Sequence, residues 1–64
     1  MCLSSVYQKA EEENVFLCKN IARVIPKNGE VICVDLLGNR TVIPGEIIDI
    51  DLMENIILIR GTES

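Results

Sequence analysis

Cys2, directly after Met1, is the residue through which this chain could do chemistry. That position puts a thiol, a backbone amide and an α-amine within one or two five-membered chelate rings. Once deprotonated, sulfur and nitrogen donors together suit Ni(II) or Cu(II) in a planar geometry. A neighbouring α-ammonium lowers a thiol pKa, because positive charge favours the thiolate. With Met1 retained, the Met1 amine, the Cys2 amide nitrogen and the Cys2 sulfur form the chelate. With Met1 trimmed, Cys2 itself carries the amine. Such an end needs no histidine, and the chain has none. The expected metal residues are therefore Cys2 and Met1, and two such ends brought together by a dimer axis could share one ion.

The other reactive side chains read as structure. Cys18 and Cys33 lie among Leu17, Val31, Ile32 and Val34, and are predicted to be small buried hydrophobes. The cysteine positions contain no Cys-x-x-Cys pair, which argues against a zinc knuckle. Asp49 and Asp51 fall on one strand face. A carboxylate pair can do acid–base work, but solvated acids on an outer face account for them. Ser4-Ser5 has no candidate base, and Gly38, Gly45 and Gly61 form no phosphate loop. No catalytic residue is assigned, and the chain is not expected to be an enzyme.

Composition then limits the architecture. The 64 residues make one domain, residues 1–64. The chain is 48% hydrophobic with one Tyr and one Phe, so its core must be aliphatic. A domain of this size buries only about 60% of its unfolded surface, and its core rarely supplies more than roughly 3–5 kcal/mol. Three cysteines is an odd number, and Gln8, Lys9, Glu11 and Glu12 interrupt any apolar leader. A reducing cytoplasm is the expected setting, with oligomerisation as the added stabiliser. The longest apolar runs, such as Ile56–Ile59, are four residues, too short to span a membrane. Net charge is −4, and the six Lys and Arg are scattered. Nucleic-acid affinity comes largely from clustered bases, and only Tyr7 and Phe16 could stack on bases.

Strand propensity dominates. The expected strands are Leu3–Lys9, Val15–Pro26 with a bulge or bend near Lys19 and Asn20, Glu30–Leu36, Arg40–Ile43, Glu46–Met53 and Ile56–Arg60. A charged turn over Ala10–Asn14 precedes the second. Lys27-Asn28-Gly29 signals a hairpin, because Asn-Gly readily takes positive φ. Leu37-Gly38-Asn39, Pro44-Gly45 and Glu54-Asn55 make the remaining turns, and Gly61–Ser64 is a polar tail. Ile32, Val34 and Leu36 share one face of their strand; Val31, Cys33 and Asp35 share the other. Ile48, Ile50 and Leu52 are expected to face in, with Asp49 and Asp51 out. The last strand is apolar on both faces, as in a strand covered on both sides. Its second face is expected to meet a second subunit, since an exposed aliphatic strand invites aggregation. The predicted fold is all-β: a small antiparallel β-barrel of SH3-like or Sm-like size, in a symmetric homodimer. No internal repeat stands out.

Several stretches resemble the CooT family of small nickel-binding proteins, which accompanies maturation of the nickel carbon monoxide dehydrogenase. They are Met1-Cys2-Leu3, Ile21-Ala22-Arg23-Val24, Asn28-Gly29, Val31–Leu37 with Gly38, Pro44-Gly45 through Ile48-Asp49-Ile50-Asp51-Leu52, and Ile56-Ile57-Leu58. The ordered set spans nearly the whole chain. The resemblance implies a β-barrel homodimer that binds Ni(II) through Cys2, with a nickel enzyme precursor as partner. Leu36-Leu37-Gly38-Asn39 replaces the family's commoner Leu-Phe-Gly-Glu turn. That change bears on the dimer surface or the partner rather than on the metal. A more distant similarity, confined to the Met-Cys start, is to hydrogenase assembly chaperones of the HypC type. The expected function is thus a nickel metallochaperone or store. The alternatives are a metal-independent assembly adaptor and an RNA-binding small barrel.

Overall fold

A computed structural model describes residues 3–61. The two expected metal residues, Met1 and Cys2, lie outside the described residues. Six strands form one sheet: β1 (Ser4–Gln8), β2 (Val15–Lys27), β3 (Glu30–Asp35), β4 (Arg40–Pro44), β5 (Glu46–Asp51) and β6 (Ile56–Arg60). Their spatial order is β4-β3-β2-β1-β6-β5. All neighbours are antiparallel except β1 and β6, which run parallel with Ser5 opposite Ile56 and Gln8 opposite Ile59. The all-β expectation holds; the closed, wholly antiparallel barrel does not.

The shape follows from β2. Its first half pairs with β1, Phe16 opposite Tyr7 and Cys18 opposite Val6. Its second half pairs with β3, Val24 opposite Cys33 and Pro26 opposite Val31. Between the halves Asn20 takes a left-handed φ of 59°. Asparagine tolerates that region better than most residues. The expected irregularity near Lys19 and Asn20 is therefore a bend that folds the sheet over its own core. Val6, Ile57 and Ile59 pack from one side, Val31, Cys33 and Ile43 from the other, with Ile21 at the bend. The core is aliphatic, as composition requires, and Cys33 is fully buried within it.

Gly45 joins the two edges of the open sheet. β4 and β5 are opposite edges of the sheet, yet they adjoin in sequence through this single residue. At this corner the Gly45 amide donates to the Gly29 carbonyl at 2.9 Å, continuing the β3–β4 pairing of Glu30 with Pro44. No ladder runs between β4 and β5.

The β5 faces also differ from expectation. A bulge at Ile48 interrupts its pairing with β6, so Ile47 sits opposite Ile59 and packs on the core. Ile50 lies opposite Ile57 on the core side, but its strand is an uncovered edge and Ile50 remains exposed. The strand stops at Asp51, which leaves Leu52 and Met53 in the following turn. β3 likewise stops at Asp35, one residue short, with Leu36 in its turn. In both cases an aspartate carboxylate captures the next amides and ends the ladder.

Candidate functional site

β1 begins at one end of the sheet, and the register defines that end closely. Ser4 stands opposite Ile21, which stands opposite Asp35. On the other side Ser5 stands opposite Ile56, which stands opposite Asp51. The start of β1 thus lies between two turns, Asp35–Asn39 and Asp51–Asn55. Each begins two strand spacings away, about 10 Å at the usual separation.

Both non-glycine residues with left-handed φ among the described residues support this end. Asn20, at 59°, offers its carbonyl to the Leu36 amide at 3.1 Å. Asn55, also at 59°, offers its carbonyl to the Ser5 amide at 2.9 Å. β1 is therefore fixed from its second residue onward. Cys2 is bonded to Leu3, one Cα–Cα step of about 3.8 Å away.

The two turns are alike in sequence and in capping. Asp35-Leu36-Leu37-Gly38-Asn39 and Asp51-Leu52-Met53-Glu54-Asn55 share the pattern Asp-Leu-x-x-Asn. The Asp35 carboxylate accepts from the Leu37 and Asn39 amides, both at 2.9 Å, and from Asn39 Nδ2 at 3.2 Å. The Asp51 carboxylate accepts from the Met53 amide at 3.1 Å and the Glu54 amide at 3.0 Å. Each turn holds two aliphatic side chains out in solvent. Strand assignment hides this pattern in the sequence, because Leu36, Leu52 and Met53 read as continuations of alternating strands. The paired Asp-Leu-x-x-Asn stretches are the signal that reveals it.

The bonds to Asp35, those from Asn39 foremost, hold its carboxyl below the ordinary carboxylate range. A depressed pKa contributes stability above the unfolded-state value, about 3.9, that disappears as pH falls through the folded value. The melting temperature should therefore drop below about pH 4, and Asp35→Asn should be less stable at neutral pH with a flatter acid limb. Parallel melting curves for the two proteins would show that these bonds contribute nothing.

Cys18 and Cys33 come together in the core, away from this end. Each thiol influences the titration of the other. Burial, and then the neighbouring Cys18, pushes the Cys33 thiol up to about 11. Burial also raises Cys18, partly offset by its contact with Cys33. Both are protonated at neutral pH, which makes them poor nucleophiles and poor metal ligands. In native protein near neutral pH, iodoacetamide should leave Cys33 unmodified and label Cys18 slowly; rapid labelling of Cys33 would contradict its burial. Among the described residues no three His, Cys, Asp or Glu side chains gather as a metal site. Asp49 and Asp51 stand on the outer face of β5, opposite Leu58 and Ile56, as solvated acids.

A family model described as CO dehydrogenase accessory protein CooT matches residues 1–60. The chain belongs to the CooT family. No curated protein matches it. A crystal structure of a protein assigned as CooT, from Carboxydothermus hydrogenoformans, superposes with a TM-score of 0.85 at 19% identity, covering 97% of this chain and 100% of that one. At that identity the similarity speaks for the fold, which this CooT chain shares over almost its full length. The family match includes the Met1-Cys2 start. It also spans both Asp-Leu-x-x-Asn turns.

Proposed function

We propose that this chain carries Ni(II) as cargo for the maturation of a carbon monoxide dehydrogenase. The Cys2 thiolate, the Cys2 amide nitrogen and the Met1 amine are the proposed donors. Family membership over residues 1–60 carries the reading, because the family is described as an accessory to that enzyme and the match begins at Met1-Cys2. Two properties of the described residues support it. Cys18 and Cys33, the competing thiols, are held protonated in the core. The strand that follows Leu3 is anchored on both sides, so a metal held before it would ride on a rigid base.

The protein is proposed to act in the cytoplasm as a homodimer and not as a catalyst. Tyr7, Phe16, Ile56 and Leu58 share the outer face of β1, β2 and β6 by register. The Tyr7 and Phe16 rings meet edge to face at 5.6 Å. That face would supply the second covering for the doubly apolar last strand.

Nickel titration of the reduced protein, read by absorbance and native mass spectrometry, tests the reading. Thiolate-to-nickel charge-transfer bands and a mass increase of one nickel per chain or per dimer support it. Affinity should rise with pH, since the thiol and nitrogen donors must lose protons to bind. If no nickel binds, the cargo reading is wrong and the protein is a metal-independent adaptor.

A further inference from the structure

We infer that Cys18 and Cys33 are a redox modification site: hydrogen peroxide joins them in a disulfide that staples the two halves of the bent sheet across the core. The inference stands apart from the cargo reading, since it uses neither Cys2 nor a metal.

The bend at Asn20 brings the two residues together. Cys18 lies before it on β2 and stands opposite Val6 on β1. Cys33 lies on β3 and stands opposite Val24, which follows the bend. Residues directly opposite one another share a sheet face. Val6 is fully buried and Val24 packs on the core, so both cysteines belong to core-facing positions. Folding β2 at Asn20 turns those two faces toward each other. Cys33 is a fully buried member of the core cluster, and Cys18 packs against the same cluster from a half-buried position. Each thiol influences the titration of the other, as neighbouring groups do. One buried cysteine is an ordinary small hydrophobe. Two free thiols facing each other across a fold in the sheet, in an otherwise aliphatic core, are a dithiol.

Their unequal burial divides the work. Cys18 is the thiol an oxidant can reach, and Cys33 is the resolving thiol behind it. The Cys18 thiolate attacks one peroxide oxygen; the O–O bond breaks, and hydroxide leaves and takes up a proton to become water. Cys18 is then a sulfenic acid. The Cys33 sulfur attacks the Cys18 sulfur, the S–O bond breaks, and the departing hydroxide takes the Cys33 proton as a second water. Two thiols are oxidised by two electrons and one peroxide is reduced. The first step needs the thiolate, so it is slow at neutral pH and quickens as pH rises. The closed loop contains both the bend and the Asn28-Gly29 hairpin. A crosslink across it restricts the unfolded chain and favours the folded one.

The test treats the folded, reduced parent chain with hydrogen peroxide, alkylates it in denaturant and digests it with trypsin. Cleavage after Lys9, Lys19 and Lys27 puts the three cysteines on separate peptides. Peptides 10–19 and 28–40 should appear joined and unalkylated, from a chain of monomer mass, and dithiothreitol should part them. The oxidised chain should unfold at higher denaturant than the reduced one and return to the reduced midpoint on dithiothreitol treatment. Cys18→Ser changes only the half-buried position, and in that folded variant Cys33 should stay unoxidised. Sulfinic acid on Cys18 with Cys33 still alkylated would overturn the site. So would a bridge from Cys18 to Cys2, or a link between two chains. Oxidation of Cys33 in Cys18→Ser would remove Cys18 as the point of entry, and an unchanged or lower midpoint would overturn the staple.

Discussion

Gly45→Ala should leave most of the chain unfolded at room temperature. Gly45 is buried, with a φ of 141°, a region L-residues rarely enter. A Cβ there would lie 2.3 Å from the Arg60 carbonyl oxygen and 3.0 Å from both the Arg60 carbonyl carbon and Gly61 Cα. These are backbone atoms, and Arg60 is pinned by its pairing with Glu46 on β5, so nothing flexible can give way. The dihedral alone costs about 1–3 kcal/mol, and the clash adds to it. A core of this size supplies roughly 3–5 kcal/mol, so one methyl group removes most of the margin. Gly38→Ala is the control. Gly38 also has positive φ, at 91°, but open space surrounds its missing Cβ. That variant should lose only about 1 kcal/mol. Denaturant titration followed by circular dichroism ranks the three proteins. If the two alanine variants melt alike, the β4–β5 corner is not the tight crossing described above.

Cys2→Ala should weaken nickel binding by more than about 100-fold, because losing even an outer-shell partner of a metal ligand costs about 10–100-fold. The charge-transfer bands should vanish with it, since no other thiolate is available at neutral pH. Cys18→Ala and Cys33→Ala should keep parental nickel affinity. Cys33→Ala should instead lower stability by about 1 kcal/mol, because it opens a small void in a close-packed core. The three variants therefore divide into one metal phenotype and two packing phenotypes. Parental nickel affinity in Cys2→Ala would end the proposal that Cys2 and Met1 hold the metal. Loss of nickel in Cys33→Ala at full stability would move the site into the core.

The sequence by itself determined the strand set, the aliphatic core and the burial of Cys33. Those depend on local propensity and on alternation with period two, which a single chain displays. Asn20 announced a break in β2, and Asn28-Gly29 announced its hairpin. The Met1-Cys2 start and the ordered stretches of the resemblance point to the CooT family, to which the chain belongs. Long-range pairing was a different matter. That β1 runs parallel to β6 depends on how the bend at Asn20 and the crossing at Gly45 fold the sheet. Neither effect is local. The same holds for Ile50, which keeps its inward register but loses cover because its strand is an edge. Leu36, Leu52 and Met53 continue an alternating pattern, and a period-two reading keeps them in strands. Only the tertiary structure shows each aspartate carboxylate capturing the next amides, ending the strand and turning those side chains outward on either side of the strand that follows Leu3. The chemistry proposed for Cys2 rests on bonded neighbours, which a sequence displays. The end of the sheet where β1 begins is not displayed there, because it is assembled from strands that meet only when the chain folds.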